Sequence, residues 1–326
     1  MAKLNMVKAL NLALHEEMER DPDVLIIGED VGVDGGVFRV TEDLHRKFGG
    51  RRVIDSPLAE AAIIGTSVGM ALYGLKPICE IQFSGFAFQC FHQIENHAAR
   101  YRTRSQGRFH CQLVIRMPYG GGVRALEHHT ESEEQFYAQI PGLKMVIPSG
   151  PRTARGLLVS AIRDPDPVIF FEAKGLYHAA REDVPDETET LPIGRAQVVQ
   201  EGKDLTLIAY GAMLRVAREA AQVLHDEDGA EAEVIDLLTI SPLDRETLVA
   251  SVQKTGRAVV VHEAPKSFGA GAEIAASIME GAFLSLEAPI RRVAAYDVSF
   301  VGFARERATV PDVARVVAAC RQTLAF

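Results

Sequence analysis

Positive charge is in short supply in this chain. Its 326 residues carry 35 Lys and Arg against 44 Asp and Glu, a formal charge of -9 with a pI near 5.6. A protein that tracks a phosphate backbone needs a basic face to displace counterions, so nucleic acid is excluded as an expected partner. Cysteine is nearly as sparse: Cys79, Cys90, Cys111 and Cys320 stand alone, with no CxxC spacing. Lone thiols read as reduced side chains of a cytoplasmic protein, which excludes a disulfide framework and a zinc site on sulfur. Long apolar runs are missing as well. The longest uncharged stretch, residues 61–75, is broken by three glycines and falls short of the roughly 20 residues that cross a bilayer. No membrane span is expected. The first residues, MAKLNMVKALNLALHEEMER, bring acids directly after apolar positions and read as an amphipathic helix, not a signal peptide. Low complexity and short fixed repeats are absent, which sets aside disorder, solenoids and propellers.

What is present is globular. Hydrophobic residues make up 47% and charged residues 24%, and the length favours two domains. Short β-branched runs, VLIIG at 24–28, RRVID at 51–55, KPICEIQF at 76–83, QLVIR at 112–116, KMVIP at 144–148 and PVIFF at 167–171, alternate with helical patterns. That alternation predicts a parallel sheet with crossover helices. From about 181 to 203 the text turns acidic and proline-bearing, with EDVPDETETLP and no strand or helix periodicity. A linker at 186–203 is placed there, dividing a domain at 1–185 from one at 204–326. Beyond it the alternation resumes with DLTLIAYG, EAEVIDLLTI, GRAVVVHEA and IRRVAAYD. The fold class expected is α/β with two parallel-sheet domains.

The segment DSPLAEAAIIGTSVGMALYGL at 55–75 says most about chemistry. Ser56 followed by Pro57 predicts a helix cap with proline at the first helical position. Counted from that cap, the capping-box position falls on Ala59, so Glu60 does not close the box. Glu60 then either serves the helix dipole alone or is a functional acid. Gly65 and Gly69, at GxxxG spacing, predict close packing at a core or subunit interface. A glutamate beside such a dry seam would have its pKa raised. His128 and His129 are adjacent and lack ligands at zinc spacing, so they are either solvated loop residues or part of a site. No G-x-G-x-x-G, P-loop or GDG segment occurs; the nearest strings are GEDVG at 28–32 and VDGGV at 33–37.

A set of blocks in order and spacing resembles one family. GEDVG, GGVFRVTEDL at 35–44, SPLAE at 56–60, EIQFSGF at 80–86, RMPYGGG at 116–122, EHHTES at 127–132, PGLKMVIPSGP at 141–151, DPVIFFEAKGLYH at 166–178, GKDLTLIAYGAM and KTGRAVVVHEAP are similar to β subunits of thiamine-diphosphate-dependent 2-oxo acid dehydrogenases, of the pyruvate or branched-chain type. The resemblance implies a thiamine-diphosphate pyrimidine-binding domain followed by a transketolase-like C-terminal domain. It assigns to Glu60 a hydrogen bond to a ring nitrogen of the cofactor's aminopyrimidine, with Leu58, Gln82 and Phe86 lining that pocket. His129 takes the role of holding the 2-oxo acid or assisting acyl transfer to lipoyl groups. A structural potassium ion is implied near Leu113, Ala161, Ile162, Asp164 and Asp166, where RDPDP alone reads as a turn.

The missing GDG segment implies half an active site. An α subunit would supply the diphosphate and magnesium sites in an α2β2 assembly, which then serves a lipoylated acyltransferase core. Within HEAPKSFGAGAE at 262–273, His262 and Glu263 read as structural. Two departures stand out: Ser56 replaces a usual threonine, and Phe86 a frequent tyrosine. EIQFSGF, EHHTES and HEAP lean toward branched-chain acids. An acetoin dehydrogenase β subunit, half of a transketolase-like synthase and a non-catalytic α/β binding module are the rival readings.

Overall fold

The computed structural model describes residues 1–179 and 181–326. Fourteen strands are present among them: β1 (Ala2–Leu4), β2 (Val24–Gly28), β3 (Val53–Asp55), β4 (Lys76–Glu80), β5 (Val114–Tyr119), β6 (Lys144–Val146), β7 (Val168–Ala173), β8 (Glu182–Val184), β9 (Gln197–Gln200), β10 (Leu205–Ala209), β11 (Ala232–Asp236), β12 (Thr239–Ser241), β13 (Ala258–Pro265) and β14 (Arg291–Ala295). The first large sheet has the order β12-β6-β7-β5-β4-β2-β3 and the second β14-β13-β10-β11-β9. Every neighbouring pair is parallel except the edge strands β12 and β9, which run antiparallel to β6 and β11.

The strands are where the β-branched runs predict them, for a physical reason. In β2, β5, β7, β10 and β11 every residue is buried, because helices cover both sheet faces. The amino-terminal helix Met6–Arg20 forms as expected, capped by Asn5, whose side chain accepts from Lys8 N. It packs on helix Pro151–Arg163 through the ion pairs Arg155–Glu16 and Arg163–Glu17, each 2.6 Å. One continuous buried cluster runs from the first sheet into one face of the second. A second cluster fills the other face beneath helices Met213–Asp228 and Val313–Leu324.

Three expectations are corrected. The segment read as a linker without strands carries β9, and just before it β8 pairs with β1. These strands are short and partly exposed, so they leave little periodic signal. The domains also interlock: β12, from beyond the expected boundary, completes the edge of the first sheet. Finally, the helix after Ser56 begins three residues later than predicted, at Glu60, with Ala59 at the N-cap and no side-chain cap bond. Ser56 Oγ donates instead to the Pro57 carbonyl at 2.8 Å.

No helix among the described residues is long and apolar enough to cross a membrane. All four cysteines are free and buried, and burial pushes each thiol up to about 12.

Candidate active site

The carboxyl ends of β2, β4, β5 and β7 turn outward together, as they must in a sheet wound in one direction, and each delivers part of one site. Helix Glu60–Leu72 follows β3 and opens with Glu60, where the unpaired amides of the first turn favour a negative charge. Glu60 is 4% exposed, and its Oε2 is buried with no hydrogen-bond partner. Beside it, at the end of β2, stands Glu29. Burial and the neighbouring Glu60 and Asp30 hold the Glu29 carboxyl above the usual carboxylate range. Asp30 accepts a hydrogen bond from Gln82 Nε2 at 3.0 Å, which fixes the amide that follows β4.

Phe83, next in the chain, begins an aromatic wall. Its ring meets Phe86 edge-on at 5.7 Å and His129 at 4.5 Å, and Phe86 meets His129 at 5.3 Å. His129 closes the short 3-10 turn Glu127–His129 that follows β5. Its approach to the wall depends on Gly85, where a Cβ would run into the carbonyl oxygen of His128. The ring of His129 keeps a buried Nδ1 without a partner. Burial, then His128 and Lys174, lowers its pKa, so the imidazole is neutral at pH 7. The His128 ring lies tilted against it, with centroids 4.2 Å apart.

The structure therefore lines up Glu60, Gln82, Phe86 and His129 through Glu29, Asp30 and Phe83. Leu58, by contrast, is 77% exposed. The GxxxG pair does not close on this chain: a Cβ on Gly69 would meet nothing within 4 Å, and one on Gly65 would meet only Gln93. Their face of the helix is left open.

The loop carrying His129 is tied down from the second domain. After β5, Gly120 and Gly122 adopt φ of +74° and +108°, and a Cβ on Gly122 would overlap Gly175. Between them Gly121 N donates to Glu263 Oε1 of β13 at 2.5 Å, while Gly122 N and Arg124 N donate to Glu306. Lys174, after β7, lies 5.6 Å over the Phe83 ring with its ammonium buried and unpartnered. Burial lowers it to about 7. Sequence reasoning passed over Glu29, Asp30, Lys174 and Glu306. The GEDVG string directly after a strand marked the first two, whereas Glu306 lies 182 residues from the loop it holds.

The five residues named for potassium do gather, at the end of helix Pro151–Arg163 and beside β5 and β7. The carbonyls of Leu113, Ala161 and Ile162 accept from Val168 N, Asp164 N and Gln112 Nε2 at 3.0, 3.3 and 2.8 Å. Each keeps a second lone pair, which fits a carbonyl-held monovalent ion. The side chains of Asp164 and Asp166 are already engaged by Lys144 at 2.7 Å and Arg102 at 2.5 Å. No cluster of three His, Cys, Asp or Glu suited to a metal occurs among the described residues.

Comparison with known proteins identifies both domains. Residues 2–179 match the transketolase pyrimidine binding domain and residues 194–316 the transketolase C-terminal domain. The pyruvate dehydrogenase E1 component subunit beta of Staphylococcus epidermidis is 50% identical over 326 residues, covering 100% of both chains. Its counterpart from Staphylococcus aureus is 50% identical over the same span. A solved structure titled as a split gene transketolase, inactive beta4 tetramer, superposes with a TM-score of 0.82 over 99% of both chains at 24% identity. That likeness speaks for the fold.

Proposed function

The chain belongs to the β subunits of the 2-oxo acid dehydrogenases, and from that premise we propose that it joins an α subunit to decarboxylate a 2-oxo acid and pass the acyl group to lipoyl groups of an acyltransferase core. The observation that carries this reading is the Glu60 carboxyl, buried at a helix start with Oε2 unpartnered. Leaving such an atom unmade costs about 1–3 kcal/mol, and a ring nitrogen from outside the chain would remove that cost.

Thiamine diphosphate, when bound, supplies the nucleophilic carbon and the sink for the electrons of the broken bond. This chain's own residues would do the rest. Glu60 shares a proton with the aminopyrimidine nitrogen, a general acid–base role suited to a carboxyl out of water. Gln82, braced by Asp30, orients the same ring, and Phe83 with Phe86 excludes water. Neutral His129 offers its free Nδ1 to the 2-oxo acid or to the incoming thiol. Leu58 belongs to the surface that the α subunit covers. With no phosphate loop here, the diphosphate and magnesium fall to that α subunit in an α2β2 heterotetramer, and potassium to the carbonyls around Leu113. Free, buried thiols support a cytoplasmic setting.

Pyruvate is the substrate expected first, because the relatives bear that name. Branched-chain acids are the second reading, on the strings EIQFSGF and EHHTES. The test is co-purification with the native α chain and turnover of a panel of 2-oxo acids with an artificial electron acceptor. Thiamine diphosphate and magnesium are omitted in turn, and potassium is exchanged for sodium. Activity should require both chains and the cofactor, and sodium should lower the melting temperature. A cofactor-loaded complex silent on every 2-oxo acid but active on acetoin would replace this reading, and a complex that binds no cofactor would end it.

A further inference from the structure

Four residues beyond His129 the chain buries an acid that nothing explains. Glu133 is 4% exposed, and although the Ser84 hydroxyl and the Glu131 carboxyl approach it, neither of its carboxylate oxygens makes a hydrogen bond of good geometry. The other acids nearby are accounted for: Glu134 accepts from Tyr210 OH at 2.6 Å, Glu263 from Gly121 N, and Glu306 from Gly122 N and Arg124 N. The buried ammonium of Lys174 faces Glu263, Glu306 and Glu133 but bonds to none of them. No cation among the described residues forms an ion pair with Glu133.

Glu133 lines a cleft of about 360 Å³ between the segment after His129 and the loop after β14. Its walls are rings: Phe88 and Phe136, edge-on at 5.6 Å, on one side, and Tyr296 and Phe300 on the other. Glu131, Glu263 and Ser299 also line it, and three further polar atoms of the lining, Ser132 Oγ, Gln135 Oε1 and Thr309 Oγ1, are buried without partners. Acceptors inside aromatic walls call for a flat, weakly hydrated cation, which describes a guanidinium better than an ammonium or a metal ion. Arg315 lies over the Tyr296 ring but donates to the Ala294 carbonyl and is not paired with Glu133.

We propose that this cleft is a socket for an arginine side chain of the partner chain that completes the active site, with Glu133 as its counter-charge. The inference rests on the proposed α–β assembly. Continuity supports that partner: Phe88 is two residues beyond Phe86, and its ring, Phe136 and Tyr296 stand half exposed at the rim beside the site wall.

Pairing carries a proton signature. Burial, then Glu131, raises the Glu133 carboxyl to about 8 in the chain alone, so below that pH a guanidinium must displace its proton. Ser84 and Glu134 also face it. Association with the α chain should therefore strengthen as pH rises from 6.5, approaching tenfold per unit, and level off above about 8.

The experiment measures the α–β association constant against pH for the parent and for Glu133→Gln. The variant should bind about tenfold more weakly at pH 8 and lose that part of the slope, while Glu133→Asp restores part of both. Glu263, raised to about 7, and Lys174, lowered to about 7 and facing Glu133, titrate in both proteins, so only the difference in slope between them is assigned to Glu133. Should Glu133→Gln fail to fold, Tyr296→Ala at the rim must weaken association while keeping the slope. Unchanged affinity and slope overturn the socket, as does an effect on self-association of this chain alone. The assay needs no turnover, so an inactive parent complex would condemn the proposed function and leave this inference to be judged on binding.

Discussion

At the residue scale, Glu60 stands at a helix start near the position expected from Pro57, and the acid has no capping role to absorb it. The cap itself was misread: Ser56 bonds its neighbour's carbonyl, and the helix opens unassisted at Glu60. Replacing Glu60 by Gln keeps the shape and removes the shared proton. Decarboxylation by the assembled complex should fall by about 10²–10⁴, with the elution of the complex unchanged; a variant retaining a tenth of parent turnover would remove Glu60 from its role. His262 carries a second expectation. Fully buried, with both ring nitrogens unpartnered, it is held down to about 4 by burial and then by Arg292. The unfolded chain takes up a proton near pH 6.5 that the folded chain refuses until about 4. Stability should therefore decline across that window, by about 3 kcal/mol when complete. Glu133 and Glu263 act in the opposite sense, adding stability as pH falls from about 8 and about 7 toward 4.5. Denaturant melts of His262→Gln against the parent separate the two, and equal slopes between pH 6.5 and 4.5 would refute the assignment.

At the scale of elements, buried strands were readable and edge strands were not. A run such as VLIIG is apolar on both faces and announces itself. β1, β8 and β9 are three or four residues long and partly exposed, so their pairing partners, not their composition, make them strands. The five potassium positions share this difficulty, because backbone oxygens leave no trace in side chains. β12 matters most: Thr239 and Ser241 pair with Val146 and Met145, and Ile147 N donates to the Leu238 carbonyl at 2.8 Å. A chain ended at residue 203 keeps the expected first domain but bares the β6 edge. It should aggregate on expression, since an open strand edge templates pairing, whereas the full chain, with β12 in place, should be less prone to do so. Equal yields of soluble protein from both would show that β12 is dispensable.

At the scale of the molecule, the two-domain α/β reading holds, but the site belongs to neither domain alone, since Glu263 and Glu306 grip the glycine turn before His129. Contacts that join residues so far apart leave no local pattern to read. The half-site expectation, drawn from a missing phosphate loop, is a proposal about how this chain behaves alone. Leu284, Phe268 and Tyr73 are 96%, 91% and 90% exposed, and a partner chain that covered them would take that apolar surface out of water. Purified alone, the 35.6 kDa chain should elute as a larger, concentration-dependent species that resolves on adding the α chain. A monodisperse monomer at all concentrations would contradict this. The borrowed strand β12 also sets a clock on synthesis. About 90 residues separate it from β6, which at ribosomal speed is roughly 5–20 s. Throughout that interval the β6 edge of the nascent first sheet stays open to pairing with another chain.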